Sequence, residues 1–182
     1  MTEAANVELP AGVERILLTE QQVQQRIREL GAELAEHYDD RKPLLVGVLT
    51  GAYVFMADLS RAMNIELDVE FMAVSSYGLA TQTSGVVRIL KDLDMPVEGK
   101  EVLIVEDIID SGLTLNYLLD VLRRRNPKDL RVVSLLRKKR DDAHAVQVDY
   151  LGFEIPDEFV VGCGLDAGRR FRNLPYVAVV RE

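Results

Sequence analysis

Glu106, Asp107 and Asp110 run directly into Ser111, Gly112 and Thr114, so carboxylates, hydroxyls and a glycine share one short stretch. Main-chain amides left open at a helix start, together with the two hydroxyls, offer a socket for a phosphate that Gly112 lets approach closely. Carboxylates beside a bare phosphate would repel it. A sugar phosphate removes the conflict, because the acids can accept from ribose hydroxyls or position a divalent cation while amides and hydroxyls hold the phosphate. Asp107, Asp110 and Ser111 also suit a turn and a helix cap with no further role. Neither GxxxxGK[ST] nor GxGxxG is present, so this is a different phosphate loop.

The flanking residues say what must position this stretch. Val102–Val105 is a short β-rich apolar run that reads as a strand buried on both faces of a parallel sheet. Leu115, Leu118, Leu119 and Leu122 follow at helical spacing, in a helix from Thr114 to Arg125 stopped by Asn126-Pro127. The carboxylates thus fall between a strand end and a helix start, where open parallel sheets bind ligands. The plan repeats upstream, with a strand over Leu44–Leu49, a turn at Thr50-Gly51, and a helix carrying Tyr53, Met56, Leu59 and Met63. Thr19 and Gln22 form a capping box for a helix whose packed face is Val23, Ile27, Leu30 and Leu34, ending near His37. Further strands are expected over 13–18, 67–74, 87–90, 130–136, 148–153, 159–162 and 176–180. The small, polar, glycine-bearing segment Ser75–Val86 is expected to be a lid rather than a connector. Of the charge run after the 130–136 strand, Lys139 and Arg140 read as a solvated turn. Phe159 reads by composition as core, and His37 and His144 have no nucleophile or metal partner nearby in sequence.

With 182 residues, 48% hydrophobic and 29% charged, one domain is expected. Residues 1–12 read as a flexible tail and 13–182 as the domain. A net charge of −8 argues against a general nucleic-acid or membrane-surface binder. The single Cys163 cannot form an intrachain disulfide, the N-terminal stretch lacks a secretory pattern, and no apolar run is long enough to span a bilayer. A reducing cytoplasm is the expected location.

As a whole, VLIVEDIIDSGLT resembles the phosphoribosyl-pyrophosphate (PRPP) binding motif of type I phosphoribosyltransferases, in the form found in bacterial hypoxanthine phosphoribosyltransferases. Three other stretches, GVLTGAYVFMADL, SLLRK and GFEIPDEFVVGCGLD, resemble further motifs of that family in its order. The resemblance implies an α/β fold: a mainly parallel twisted sheet flanked by helices, with a small hood from both chain ends. It implies transfer of phosphoribose from PRPP to hypoxanthine, and to guanine, with Mg²⁺ and a homodimer or homotetramer. On this resemblance Asp110, Ser111, Gly112, Leu113 and Thr114 hold the 5′-phosphate, and Glu106 and Asp107 the ribose. Asp110 also manages the proton at purine N7. Thr50, Gly51 and Arg172 meet the pyrophosphate. Lys138 donates to the 6-oxo group, Phe159 stacks on the base and the Val160 backbone reads its edge. Asp166, with Glu106 and Asp107, holds the metal, and Ser76-Tyr77 matches the lid signature. An RNA-binding regulator on the same fold and a xanthine-preferring transferase are the alternatives.

Overall fold

The most apolar stretches of this chain, Leu44–Leu49 and Val102–Val105, bury side chains on both faces, and that dictates a layered structure. The computed structural model describes residues 9–77, 86–140 and 146–181. Their elements in order are β1 (Val13–Leu18), α1 (Glu20–Tyr38), β2 (Leu44–Leu49), α2 (Tyr53–Met63), β3 (Asp68–Tyr77) and β4 (Val86–Lys91). There follow β5 (Glu101–Ile109), α3 (Leu113–Arg123), β6 (Asp129–Lys138), β7 (Tyr150–Ile155), β8 (Val160–Val161) and β9 (Val177–Val180).

A six-stranded sheet has the order β4-β3-β2-β5-β6-β7, parallel throughout except for the antiparallel edge strand β4. Leu45, Leu103, Val105, Val133 and Leu135 form one buried face with α1 and α2. Leu44, Val46, Val102, Ile104 and Val132 form the other with Leu115, Leu118, Leu119 and Leu122 of α3. Fully burying each such side chain stabilises the fold by roughly 1.5–3 kcal/mol, which is why both faces are sealed. The capping box is present: Thr19 Oγ1 accepts from Gln22 N at 3.3 Å, and Gln22 Oε1 accepts from Thr19 N at 2.8 Å.

The hood is a separate three-stranded antiparallel sheet, β1-β9-β8, so both chain ends build it. Part of the expected tail belongs to it. Leu9 packs against the hood core of Val13, Val161, Tyr176, Ala178 and Val180, and Arg181 N donates to Gly12 O at 3.1 Å. Residues 1–8 lie outside the described residues.

Among the boundaries that moved, two at the site share one reason, that pairing to a neighbour extends a strand past its apolar stretch. β5 runs to Ile109 beside β6, so Glu106 and Asp107 are strand residues. Ser75, Ser76 and Tyr77, expected in the lid, continue β3, where they pair with Arg88, Val87 and Val86 of β4. The lid's central residues, 78–85, and His144 lie outside the described residues. No helix among the described residues is long and apolar enough to cross a membrane.

Candidate active site

The chain leaves β2 toward β3 on one side and, later, enters β5 on the other, so the strand order reverses between β2 and β5. Loops leaving the carboxyl ends of these two strands diverge and open a crevice. They are the Thr50-Gly51 turn before α2 and the Asp110–Gly112 turn before α3.

Because successive strand residues point to opposite faces, Glu106 and Asp107 do not act as a side-by-side pair. Glu106 lines a hollow of about 170 Å³ with Val48, Ile109, Ser111, Gly112 and Thr114. Asp107 lines a second, of about 270 Å³, with Gly51, Lys138, Phe159, Asp166 and Arg172. Ile108 and Asp110 border both, so one ligand can lie across the end of β5 with a group in each hollow.

The first hollow opens onto the start of α3. Gly112, at φ 79°, turns the chain into α3 by a left-handed step that suits glycine. Gly112 offers α3 no side-chain cap; the Ser111 hydroxyl accepts weakly from Leu113 N at 3.5 Å, and among the described residues no side chain takes the amides that follow. The helix begins at Leu113, one residue earlier than expected.

In the second hollow three segments meet with almost no spare room. A Cβ on Gly51 would lie 1.6 Å from Asp107 Oδ2, and one on Gly164, itself at φ +102°, would lie 2.0 Å from the Gly51 carbonyl oxygen. A side chain at either position would force a neighbour to move. The Leu49–Thr50 peptide is cis, and α2 begins, like α3, without a side-chain cap. Arg172 is fixed by Asp166 at 2.6 Å and by donation to Gly164 O at 2.6 Å, while Asp166 also accepts from Arg169 N at 2.6 Å.

Burial sets the electrostatics of the two strand acids. It pushes the Glu106 carboxyl well above the usual range, and the neighbouring Asp107 adds to the effect. Burial also pushes Asp107 up to about 6, against the opposing hydrogen bond from Ile108 N at 2.7 Å and the attraction of Arg172. A cation or a developing positive centre beside such groups favours their ionised form.

At the other edge of this hollow, β6 delivers Lys138 between two carboxylates, 3.4 Å from Asp110 and 3.2 Å from Asp157. Arg140 contacts the same two, at 2.9 Å and 3.4 Å. Lys139 is solvated as expected, but Arg140 is not a solvated turn residue. Asp157, Arg140, Ile108 and Leu165 went unidentified in the sequence; nothing local distinguishes Arg140 from Lys139, whereas Asp157 lies two residues before Phe159. Phe159 is half exposed at the wall of the hollow, which corrects its compositional reading as core. Val160 beside it is buried. Glu158 points away, bound by both carboxylate oxygens to Arg15 of β1 at 2.6 and 2.9 Å. His37 is remote from the crevice, edge-on to Tyr38 and Tyr150.

A family model described as a phosphoribosyl transferase domain matches residues 15–167. The chain belongs to the phosphoribosyl transferase family. Among members of that family it is 50% identical to the hypoxanthine-guanine phosphoribosyltransferase of Bacillus subtilis, over 93% of this chain and 94% of that one. It is also 50% identical to the bifunctional protein TilS/HprT of Listeria innocua over 93% of this chain, which spans 26% of that longer protein. The crystal structure of a hypoxanthine phosphoribosyltransferase from Staphylococcus aureus superposes with a TM-score of 0.89 at 40% identity, covering 93% of this chain and 92% of that one. The mixed α/β layout with its hood is thus the phosphoribosyl transferase fold.

Proposed function

We propose that this chain is a purine-salvage phosphoribosyltransferase that moves phosphoribose from PRPP to hypoxanthine or guanine and releases pyrophosphate. The observation that carries the reading is the pair of hollows joined across the end of β5, one lined for a phosphate and the other holding Lys138 and a half-exposed Phe159. In this reading the 5′-phosphate sits on the amides of 110–114 with the Ser111 and Thr114 hydroxyls. The ribose lies over Ile108, with Glu106 and Asp107 accepting from its hydroxyls. The purine lies against Phe159, with its oxo oxygen toward Lys138 and its edge toward the Val160 backbone.

Pyrophosphate departs toward Gly51 and Arg172, whose charge and amides meet it. As the bond from the anomeric carbon to pyrophosphate oxygen breaks and the bond to the purine ring nitrogen forms, the imidazole proton of the purine passes to Asp110. Positive character on the ribose is then stabilised by the carboxylates of Glu106 and Asp107.

The donor set suits Mg²⁺. No cluster of three or more His, Cys, Asp or Glu among the described residues forms an all-protein cage, and Mg²⁺ is ordinarily bound by one or two carboxylates plus substrate phosphates. Asp166 would hold it with Asp107, which shares the second hollow and also faces the ribose, while Glu106 on the neighbouring side serves the ribose alone. Bound there, the ion neutralises charge on pyrophosphate. Ser76 and Tyr77, at the end of the β3–β4 ribbon, begin the lid in this reading. A cytoplasmic homodimer or homotetramer completes it.

The test is incubation with PRPP, Mg²⁺ and hypoxanthine, with inosine monophosphate and pyrophosphate expected in equal amounts. Salt-dependent, sequence-selective RNA binding without any purine turnover would overturn the reading.

A further inference from the structure

Two cations and two carboxylates alternate around the purine end of the site. Lys138 lies 3.4 Å from Asp110 and 3.2 Å from Asp157, and a single nitrogen of Arg140, Nη1, lies 2.9 Å and 3.4 Å from the same two acids. Lys138 is the buried member, only 11% exposed, while Asp110 and Asp157 are 50% and 44% exposed. Register explains the meeting: Ile109 of β5 pairs with Arg137 of β6, which sets Asp110 beside Lys138, and Lys138 pairs with Ile155 of β7, just before Asp157.

This arrangement sets substrate binding against an existing interaction. A lysine held by two carboxylates keeps one N–H free, but their pull sets where it can point, so turning it onto a neutral oxo group draws the ammonium away from them. Its departure would leave both acids with reduced neutralisation in a partly enclosed site, which costs free energy. Arg140 already touches both acids and stays bound to them as the lysine moves. Its guanidinium offers donors in several directions from one planar group, so it can serve two carboxylates together.

We infer that Arg140 is a positioning residue for purine capture: it retains Asp110 and Asp157 when Lys138 moves to the 6-oxo group, so the base and the donor act together instead of neutralising each other. The inference rests on the purine-transfer reading above. It assigns Asp157 the part of a counter-charge that holds Lys138 and Arg140 at the site and does not itself touch substrate.

The consequence falls on the purine and spares PRPP. In Arg140→Ala, both acids retain only Lys138 among the described residues and hold it more firmly, so the KM for hypoxanthine should rise roughly 3- to 10-fold. The KM for PRPP should stay within about twofold, because the α3 amides, the hydroxyls of Ser111 and Thr114, and Arg172 keep their places even though Asp110 loses a partner. Arg140→Lys should recover most of the loss. Adding Asp157→Asn to Arg140→Ala removes one of the two charges that hold Lys138, and should bring the hypoxanthine KM back toward the parent value. A merely structural role for Arg140 would not give that reversal, since a second substitution would add damage.

The experiment is steady-state turnover of the full chain, the single variants and the double variant. Hypoxanthine is varied at saturating PRPP and Mg²⁺, then PRPP at saturating hypoxanthine, with thermal unfolding run on each protein. A purine-specific rise in KM, rescued by Lys and reversed by Asp157→Asn, supports the inference. Hypoxanthine turnover in the parent with an unchanged KM in Arg140→Ala overturns it alone. Equal rises in both KM values, or a double variant worse than either single one, overturn it as well. A parent inactive with every 6-oxopurine would overturn the functional reading and this inference together.

Discussion

Gly51→Ala tests whether the turn after β2 and the carboxylate of Asp107 form one fitted unit. The added methyl would lie 1.6 Å from Asp107 Oδ2 and 2.6 Å from its Cγ, so one of the two must retreat. Normal van der Waals separation requires a shift of about 1.5–2 Å. The backbone of Asp107 cannot easily yield, because β5 is hydrogen-bonded between β2 and β6. Rotating the side chain away would break its hydrogen bond from Ile108 N, and moving the turn would press Gly51 toward Gly164. Overpacking costs about 1–3 kcal/mol and the lost buried hydrogen bond about another 1 kcal/mol, so the substitution should destabilise the protein by about 2–4 kcal/mol. For a chain of 182 residues that is a fall in Tm of roughly 5–12 °C. A carboxylate displaced by more than about 1 Å should also lower kcat/KM for PRPP by roughly 10²-fold. Differential scanning calorimetry with a coupled pyrophosphate assay reads both effects. Substituting Asp107→Ala in the same chain removes the obstructing atoms, so Tm should recover while activity stays low. Gly51→Ala with parental Tm and turnover within about threefold would refute the fitted-unit reasoning.

Three further outcomes are expected. Asp110→Asn should bind PRPP as the parent does, measured by equilibrium binding, yet turn over roughly 10²- to 10⁴-fold more slowly if it takes the purine proton. Phe159→Ala should raise the hypoxanthine KM roughly 3- to 10-fold through lost stacking with Tm nearly unchanged, because the ring is half exposed; a large loss of Tm with unaltered KM would return it to the core. At the far end of the sheet, burial pushes the Glu101 carboxyl up, but hydrogen bonds from Lys128 at 2.9 Å and Arg41 at 2.7 Å outweigh it and hold it below the usual range. Its stabilising effect is therefore present above about pH 4.5 and is lost as pH falls through the lower folded value. Glu101→Gln should cost about 1–2 kcal/mol at pH 7 and progressively less below pH ~4, read by urea unfolding across pH, with kcat unaffected.

What could be read locally from the sequence was what depends on local periodicity. The leucines of α3, the capping box at Thr19 and the buried strands β2 and β5 carry their periods openly, and the strand-turn-helix plan put Gly51 and Asp110–Thr114 at strand ends. Missed features depend on pairing with distant residues. Glu106 and Asp107 look like a pair in sequence, but β5 continues beneath them and turns them to opposite faces. Ser75–Tyr77 is polar enough for a loop, yet β4 completes its hydrogen bonding as strand. Arg140 looks solvated until β5 and β6 are set in register and Asp110 arrives beside it. Leu9 looks like part of a tail until the hood supplies an apolar surface for it.

The central claim is that the hollow around Lys138 and Phe159 selects a 6-oxopurine as acceptor of phosphoribose. The most direct measurement is the ratio of kcat/KM for hypoxanthine to that for adenine, at saturating PRPP and Mg²⁺. Adenine presents an amino donor where hypoxanthine presents an acceptor, so Lys138 would face another donor and lose its partner. The account predicts a ratio of roughly 10³ or more in favour of hypoxanthine. A ratio near one, or faster turnover with adenine, orotate or uracil, would contradict it.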